Sequence, residues 1–484
     1  MQITYKKSKF AAATLRNTQM RLAGGGKDRS LAMEEKKRKF KMMDAILTVI
    51  CVVFVAEAAA PVAAIGNSQY FWWLFMIICF LVPYGLISAE LGTSYDRGGG
   101  LYDWITTAHG HKWGARVSWY YWINFPLWMA SLAVIFPDMI ELITGAEINT
   151  ITAIIIELAF IWIVTFIAYT PASDASWILN GAAIIKVLLA VGVGALGIYG
   201  AIKNGMANPI TPSNLLPSFN IDSLSYISVI IFNMLGFEVI CTMSEEMEDP
   251  KKQIPQAIVT GGLVIAAIYM FSAFGIGAAI PTKDISTESG LIDAFMLLTG
   301  RSGGVLIVAV AILFLLTLFG NMISWSTGVH EVAAYAAENG DMPAVFGRRN
   351  EKNMPVGGIT VTAIVASIIV IVAPFIPNQN LFWSFFALNL VMLLLSYVPV
   401  FPAFLKLRKN DPERERPFRV PGGSGLLKLM SYVPMVLIIV SIIFTAVPLS
   451  FDAETLAGTL PILIGAVLFV VLGEIMLCVK KVKR

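Results

Sequence analysis

Apolar runs near 43–66, 70–92, 115–141, 151–170, 176–201, 223–244, 257–280, 303–336, 357–377, 380–405, 427–449 and 457–480 dominate this 484-residue sequence. A helix needs about 20 residues to cross the hydrocarbon core of a bilayer, and each run reaches that length. Lipid offers no hydrogen bonds, so such runs must satisfy their backbone internally, as helices do. The expectation is an all-α membrane protein with about twelve transmembrane helices, the eighth continuing beyond the bilayer. Composition agrees. The chain is 57% hydrophobic and 14% charged, with a mean hydropathy of +0.73, where soluble domains carry about 25% charged residues. Most connections between runs are short, which leaves one membrane domain and no soluble module.

Orientation follows from the basic residues, which favour the cytoplasmic side. With the N-terminus inside, all of the 35 Lys and Arg except Lys186, Lys203, Lys283 and Arg301 fall on cytoplasmic segments. The reading is a multi-pass protein of the cell (inner) membrane with both termini cytoplasmic. Residues 1–42 read as a basic cytoplasmic tail, disordered because it is poor in apolar residues and carries Gly24-Gly25-Gly26. It lacks the apolar core of a secretory signal. Met33 opens a more compact basic run, so the start is Met1 or Met33. Residues 43–406 read as a ten-helix core, 407–426 as a basic cytoplasmic loop, and 427–484 as two peripheral helices with a basic end. The four cysteines (Cys51, Cys79, Cys241, Cys478) lie in or beside apolar runs and read as packing residues.

Two runs are poor passive spans. The first, AILTVICVVFVAEAAAPVAAI, carries Glu57 near its middle. An ionised carboxylate there costs about 2.5–3.5 kcal/mol on insertion scales. Pro61 removes the N–H that would bond the Glu57 carbonyl, and Ala58, Ala59 and Ala60 leave the backbone between them bare. Such a segment faces a cavity, or else Glu57 pairs with a basic side chain. The sixth run, SVIIFNMLGFEVICTMSEE, holds Asn233, Gly236 and Glu238. It is a second broken helix, or an ordinary one with a buried Asn–Glu pair. Breaks five helices apart point to an inverted repeat of five plus five helices, with substrate bound between the breaks.

At this point the chain resembles the amino acid–polyamine–organocation transporter superfamily. The resemblance rests on YGLISAELGTSYDRGGG (84–100), Gly236-Phe237-Glu238 followed by Asp249-Pro250-Lys251-Lys252 and Pro255, Glu338-Asn339-Gly340-Asp341-Met342-Pro343 followed by Asn350 and Pro355, and LKLRKNDPERERPFRVPG (405–422). It implies a LeuT-like core with broken helices 1 and 6, plus two peripheral helices. It implies substrate contacts from Ala56, Glu57, Ala58, Ala59 and Ala60 on the first helix, and from Phe232, Asn233, Gly236 and Glu238 on the sixth. Trp325 matches an eighth-helix aromatic that packs on the substrate's aliphatic part, with plain packing as the alternative. Asn124 is a weaker pocket candidate. Amino acid carriers of this superfamily often have a Gly-rich break whose bare N–H groups hold the substrate carboxylate. Here Ala-Glu-Ala-Ala-Ala replaces it. A fixed carboxylate repels another and attracts an ammonium or guanidinium group, which favours polyamines, agmatine or decarboxylated amino acids.

Lys186 lies inside the fifth run. The resemblance implies that it stands in for a coupling sodium ion, either as a proton-linked group or as a charged staple. Trp119, Tyr120, Tyr121 and Trp122 read as an interface belt, His109 and His111 as solvated loop residues, and His330 as locally bonded. Glu90 and Glu157 read as structural partners. The sequence holds no phosphate-binding motif and no zinc spacing, so no cofactor, no metal and no enzyme activity are expected. The function that follows is secondary active transport of amino acids or amines by alternating access, proton-coupled or by exchange. The alternatives are an antiporter paired with a decarboxylase and a transport-dead nutrient sensor on the same fold. Expected partners are a small-molecule substrate, the lipid bilayer and a second copy of the chain in a homodimer, but no nucleic acid.

Overall fold

The computed structural model describes residues 41–481 apart from 96–98, 172–173, 175, 218–220, 243–246, 287–288, 301–303 and 376–380; the side chains of Glu57, 221–226, Glu454 and 479–481 also lie outside it. The chain divides into residues 1–40 and 41–484. All described residues belong to the second unit, so the tail expected over 1–42 lies outside them but for its last two residues.

The regular elements among the described residues are helical. The first span is α1 (Met42–Val53), a 3-10 turn (Ala56–Ala58) and α2 (Ala59–Ala63). Spans two to five are α3 (Gln69–Ser94), α5 (His111–Thr144), α6 (Thr150–Ala168) and α7 (Ser176–Asn204), with the short α4 (Leu101–His109) ahead of α5. The sixth is again interrupted, as α8 (Ile221–Phe232) and α9 (Val239–Thr242). Spans seven to ten are α10 (Pro250–Ala279), α12 (Val305–Glu338), α13 (Val356–Phe375) and α14 (Leu381–Asn410), with the short α11 (Gly290–Thr299) ahead of α12. Two more, α15 (Ser424–Ala446) and α16 (Ala453–Lys481), end the described chain. The 34 residues of α12 make a helix about 50 Å long at 1.5 Å per residue, well beyond the hydrocarbon core.

Packing follows the five-helix repeat. α5 lies along α14, and α7 lies along α12. These are spans three with ten and five with eight, pairs that interchange when the count shifts by five. Membrane helices gain little from apolar burial against one another, so small residues that admit close backbone contact decide where they meet. A Cβ on Gly197 would stand 2.5 Å from Gly275 Cα, and one on Gly275 2.2 Å from the Val193 carbonyl oxygen. At that level α7 and α10 touch backbone to backbone.

Several polar expectations resolve here. Buried Glu90 accepts a forked pair of bonds from Arg408, with Nε at 2.7 Å, one from the Val420 N–H at 2.7 Å, and an ion pair from Arg416 at 3.2 Å. It fastens α3 to the end of α14 and to the loop after it. Glu157 differs: one of its carboxylate oxygens has no hydrogen-bond partner among the described residues. The expected aromatic belt is corrected for two of its four residues. Four consecutive helical residues point to all sides of the helix, so Tyr121 and Trp122 turn into the protein and are buried. Trp122 donates to Thr362 Oγ1 at 2.9 Å, and Trp119 donates to the Phe469 carbonyl at 2.8 Å. The loop placement of the histidines is corrected as well, although His111 remains exposed. His109 closes α4 and His111 opens α5. His111 Nδ1 lies 2.6 Å from the Asp341 carboxylate, which also accepts the Tyr102 hydroxyl at 2.7 Å. His330 bonds within its own turn, at the Ser326 carbonyl (2.7 Å), and across to Thr362 Oγ1 (2.8 Å).

Candidate substrate site at two helix breaks

Where a helix stops inside a membrane, its last carbonyls lose their partners and must find others. The first span leaves helical geometry at Phe54 (φ −79°, ψ 115°) and Val55 (φ −115°, ψ 107°). Each carbonyl at the end of α1 is met by a side chain from another span. Lys186 of α7 donates from Nζ to the Cys51 and Phe54 carbonyls, both at 2.7 Å. Trp325 of α12 donates from its indole N–H to the Val52 carbonyl at 2.6 Å. The Tyr269 hydroxyl of α10 donates to the Val53 carbonyl at 3.3 Å and accepts the Val55 N–H at 2.7 Å. Fully buried Lys186 thus sets its side-chain nitrogen at the negative end of the α1 dipole. These caps put the break upstream of where Pro61 suggested it. Ala56, Ala58, Ala59 and Ala60 are buried just beyond it. Pro61 lies inside α2. Glu57 belongs to the 3-10 turn immediately after the break, and its side chain lies outside the described residues.

The sixth span opens between Phe232 and Val239. Gly236 has φ +101°, and a Cβ there would stand 2.7 Å from the Trp325 ring, so only glycine fits both the backbone and the indole. Two residues later the Glu238 carboxylate is 1% exposed. It accepts the hydroxyl of Tyr84 on one oxygen, and those of Tyr121 (2.6 Å) and Tyr397 (2.5 Å) on the other. No ion pair reaches it among the described residues. Asn233 is fully buried, and neither end of its amide has a hydrogen-bond partner among the described residues. Asn124 donates to the Tyr121 carbonyl at 2.5 Å, and its side-chain oxygen has no hydrogen-bond partner among the described residues. The aromatic neighbours are continuous. Trp128 meets Phe232 and Trp325 edge to face, with centroids 5.5 and 5.2 Å apart, and Phe232 meets Phe386 at 5.0 Å.

The structure therefore gathers Phe232, Asn233, Gly236, Glu238 and Trp325 at one level, with Asn124 joined through Tyr121. The Trp325 indole touches both breaks, bonding a carbonyl of the first and packing on the glycine of the second. Lys186 sits behind the first break. Tyr84, Tyr121, Tyr269, Tyr397 and Trp128 also belong to this region, and sequence reading missed them. The signal for three of these existed. Tyr84, Tyr269 and Tyr397 each stand inside an apolar run, and a buried tyrosine hydroxyl needs a polar partner. Tyr121 was hidden among neighbouring aromatics.

The family model for amino acid permeases matches residues 40–472. A probable agmatine/putrescine antiporter of Lactococcus lactis is 60% identical over 446 residues, covering 92% of this chain and 96% of that one. A glutamate/gamma-aminobutyrate antiporter of the same species is 24% identical and covers 83% and 82%. A polyamine transporter of Arabidopsis thaliana is 26% identical and covers 80% and 75%. Among solved structures, MhsT in complex with L-phenylalanine superposes with a TM-score of 0.59 at 15% identity, covering 85% of this chain and all of that one. That likeness shows the LeuT-like five-plus-five fold. With a family match across nearly its whole length and broken first and sixth spans in place, the chain belongs to the amino acid permeases of the amino acid–polyamine–organocation superfamily.

Proposed function

We propose that the chain is an antiporter that exchanges one cationic amine for another, agmatine against putrescine, by alternating access. The carrying observation is the Glu238 carboxylate, buried at the sixth-span break and bonded, among the described residues, by tyrosine hydroxyls alone. Burying a carboxylate without a countercharge costs several kcal/mol, and a cationic substrate supplies that countercharge. Glu57 belongs to the turn after the other break, and its carboxylate is assigned to the second cation of a substrate charged at each end. Phe232 and Trp325 would cover the methylene chain between the two ends, and Ala56, Ala58, Ala59, Ala60, Asn124, Asn233 and Gly236 would complete the lining. The naming of the Lactococcus relative as a probable agmatine/putrescine antiporter supports this substrate pair.

Agmatine and putrescine are both dications near neutral pH, so their exchange moves no net charge and requires no coupling ion. Lys186 then serves by holding the first break in shape, and a proton-coupling role would show as a pH-dependent exchange rate. The membrane is proposed to be the cell membrane with both termini inside; labelling from outside of a cysteine placed at position 410 would overturn that orientation. A homodimer is proposed as the assembly, and a monomeric mass in detergent would reject it.

The test is uptake of labelled agmatine into proteoliposomes. Uptake is expected with putrescine trapped inside and not with empty vesicles. Equal uptake without a trapped amine excludes exchange. In the same assay Glu57→Gln removes one charge-assisted bond worth about 1.5–3 kcal/mol. Agmatine affinity should fall roughly 10- to 150-fold while binding of a neutral amino acid changes little; equal losses for both ligands would remove Glu57 from the site.

A further inference from the structure

We infer that Asn124, Asn233 and Asn389 hold the guanidinium end of the substrate beside Glu238 and so distinguish agmatine from putrescine. The inference rests on the amine-exchange reading above and adds Asn389, a residue outside the expected site. All three side chains are fully buried, and none of their amide oxygens has a hydrogen-bond partner among the described residues. Buried polar groups in folded proteins are bonded, because an acceptor taken from water and left empty is costly. Two of the amides are oriented by their nitrogens. Asn124 donates to the Tyr121 carbonyl at 2.5 Å and Asn389 to the Phe386 carbonyl at 3.4 Å, so each turns its oxygen away from the carbonyl of its own helix.

The three asparagines lie between the same two landmarks. One is the ring cluster in which Phe232 meets Trp128 at 5.5 Å and Phe386 at 5.0 Å. The other is the Glu238 carboxylate with the Tyr121 and Tyr397 hydroxyls. Along α5 the order is Tyr121, Asn124, Trp128. Along α14, which runs the opposite way beside it, the order is Phe386, Asn389, Tyr397. Residues three or four apart share a helix face, so Asn124 stands a turn from Trp128 and Asn389 a turn from Phe386, each on the side towards Glu238. On the broken sixth span Asn233 lies between Phe232 and Glu238. A guanidinium carries five N–H donors in one plane, an ammonium three. A carboxylate offers about four acceptor sites, and tyrosine hydroxyls already use three at Glu238. The other donors of a guanidinium therefore need neutral acceptors, which the asparagine oxygens supply, and its flat face suits the neighbouring rings. An ammonium has fewer donors and can turn them to whichever acceptors remain.

Binding of agmatine and of putrescine is measured on monodisperse wild type, Asn389→Leu and Asn124→Leu, alongside thermal unfolding. Leucine keeps a branched side chain of the same length and deletes the acceptor. Agmatine affinity is expected to fall roughly tenfold or more, as one bond to a charged donor allows, and putrescine affinity to stay within about threefold. A folded variant that loses both ligands alike, or neither, overturns the inference. Should one variant fail to fold, the other reads the same group from the opposite helix. Wild type alone gives a further check: agmatine methylated on its terminal guanidinium nitrogens keeps its charge but loses donors, and should bind at least roughly tenfold more weakly than agmatine. Equal binding of the two also overturns the inference. A wild type that binds neither agmatine nor putrescine would instead sink the amine-exchange reading itself. Wild-type exchange of the two amines with no selective loss in the variants would leave that reading standing and remove the asparagines from it.

Discussion

Replacing Glu238 by Gln is expected to abolish tight binding of a dication while leaving the protein folded. The magnitude follows from the three tyrosine bonds. Tyr121 and Tyr397 donate to one carboxylate oxygen, Tyr84 to the other. An amide with its oxygen toward Tyr121 and Tyr397 keeps those two bonds, and Tyr84 can rotate its hydroxyl to accept from the amide nitrogen. Bonds to a charged group are worth about 1.5–3 kcal/mol and neutral ones about 0.5–1.5, so roughly 1 kcal/mol is lost per bond. Removing a buried charge offsets that loss by a similar or larger amount. The unfolding temperature should therefore hold or rise. Agmatine, deprived of its countercharge, should bind about 10- to 150-fold more weakly. Glu238→Ala behaves differently, since three buried hydroxyls lose their acceptor at about 1–3 kcal/mol each, enough to unfold a marginally stable protein. The assay pairs thermal unfolding with agmatine binding on all three proteins. Wild-type affinity in Glu238→Gln would refute the role of Glu238 as countercharge; equal destabilisation by Gln and Ala would refute the hydrogen-bond accounting.

Lys186→Ala leaves the Cys51 and Phe54 carbonyls without their donor; exchange should fall at least roughly tenfold with a lower unfolding temperature, at a cost of about 1–3 kcal/mol for each orphaned group. Wild-type uptake should be equal in sodium and in choline media, and stimulation by sodium would show that Lys186 does not replace the ion. Gly236→Ala imposes a strained positive φ and a Cβ 2.7 Å from Trp325; a loss of about 1–3 kcal/mol and impaired exchange are expected, and wild-type values for both would mean that the break does not need glycine.

The spans were legible because a bilayer imposes one rule on every residue within it. Length and apolarity suffice to read α3, α5 and the other continuous helices, and the carboxylates of the first and sixth runs announced that these two were different. Local sequence did not reveal where the first break falls. Pro61 suggested a position beside Glu57, yet the chain opens at Phe54–Val55. That position depends on donors from three other spans, and the indole that caps Val52 lies 273 residues away. The partners of Glu238 are similar: Tyr84 lies 154 residues before it and Tyr397 159 after. Periodicity and hydropathy describe neighbours along one helix, and they carry no term for a hydroxyl that crosses between helices. The sequence by itself determined that this chain fills a membrane with twelve spans and interrupts two of them with charge. Only the tertiary structure decided which backbone groups those interruptions expose. Every orphaned donor and acceptor must be met inside the protein, and the side chains that meet them converge only after the helices have packed.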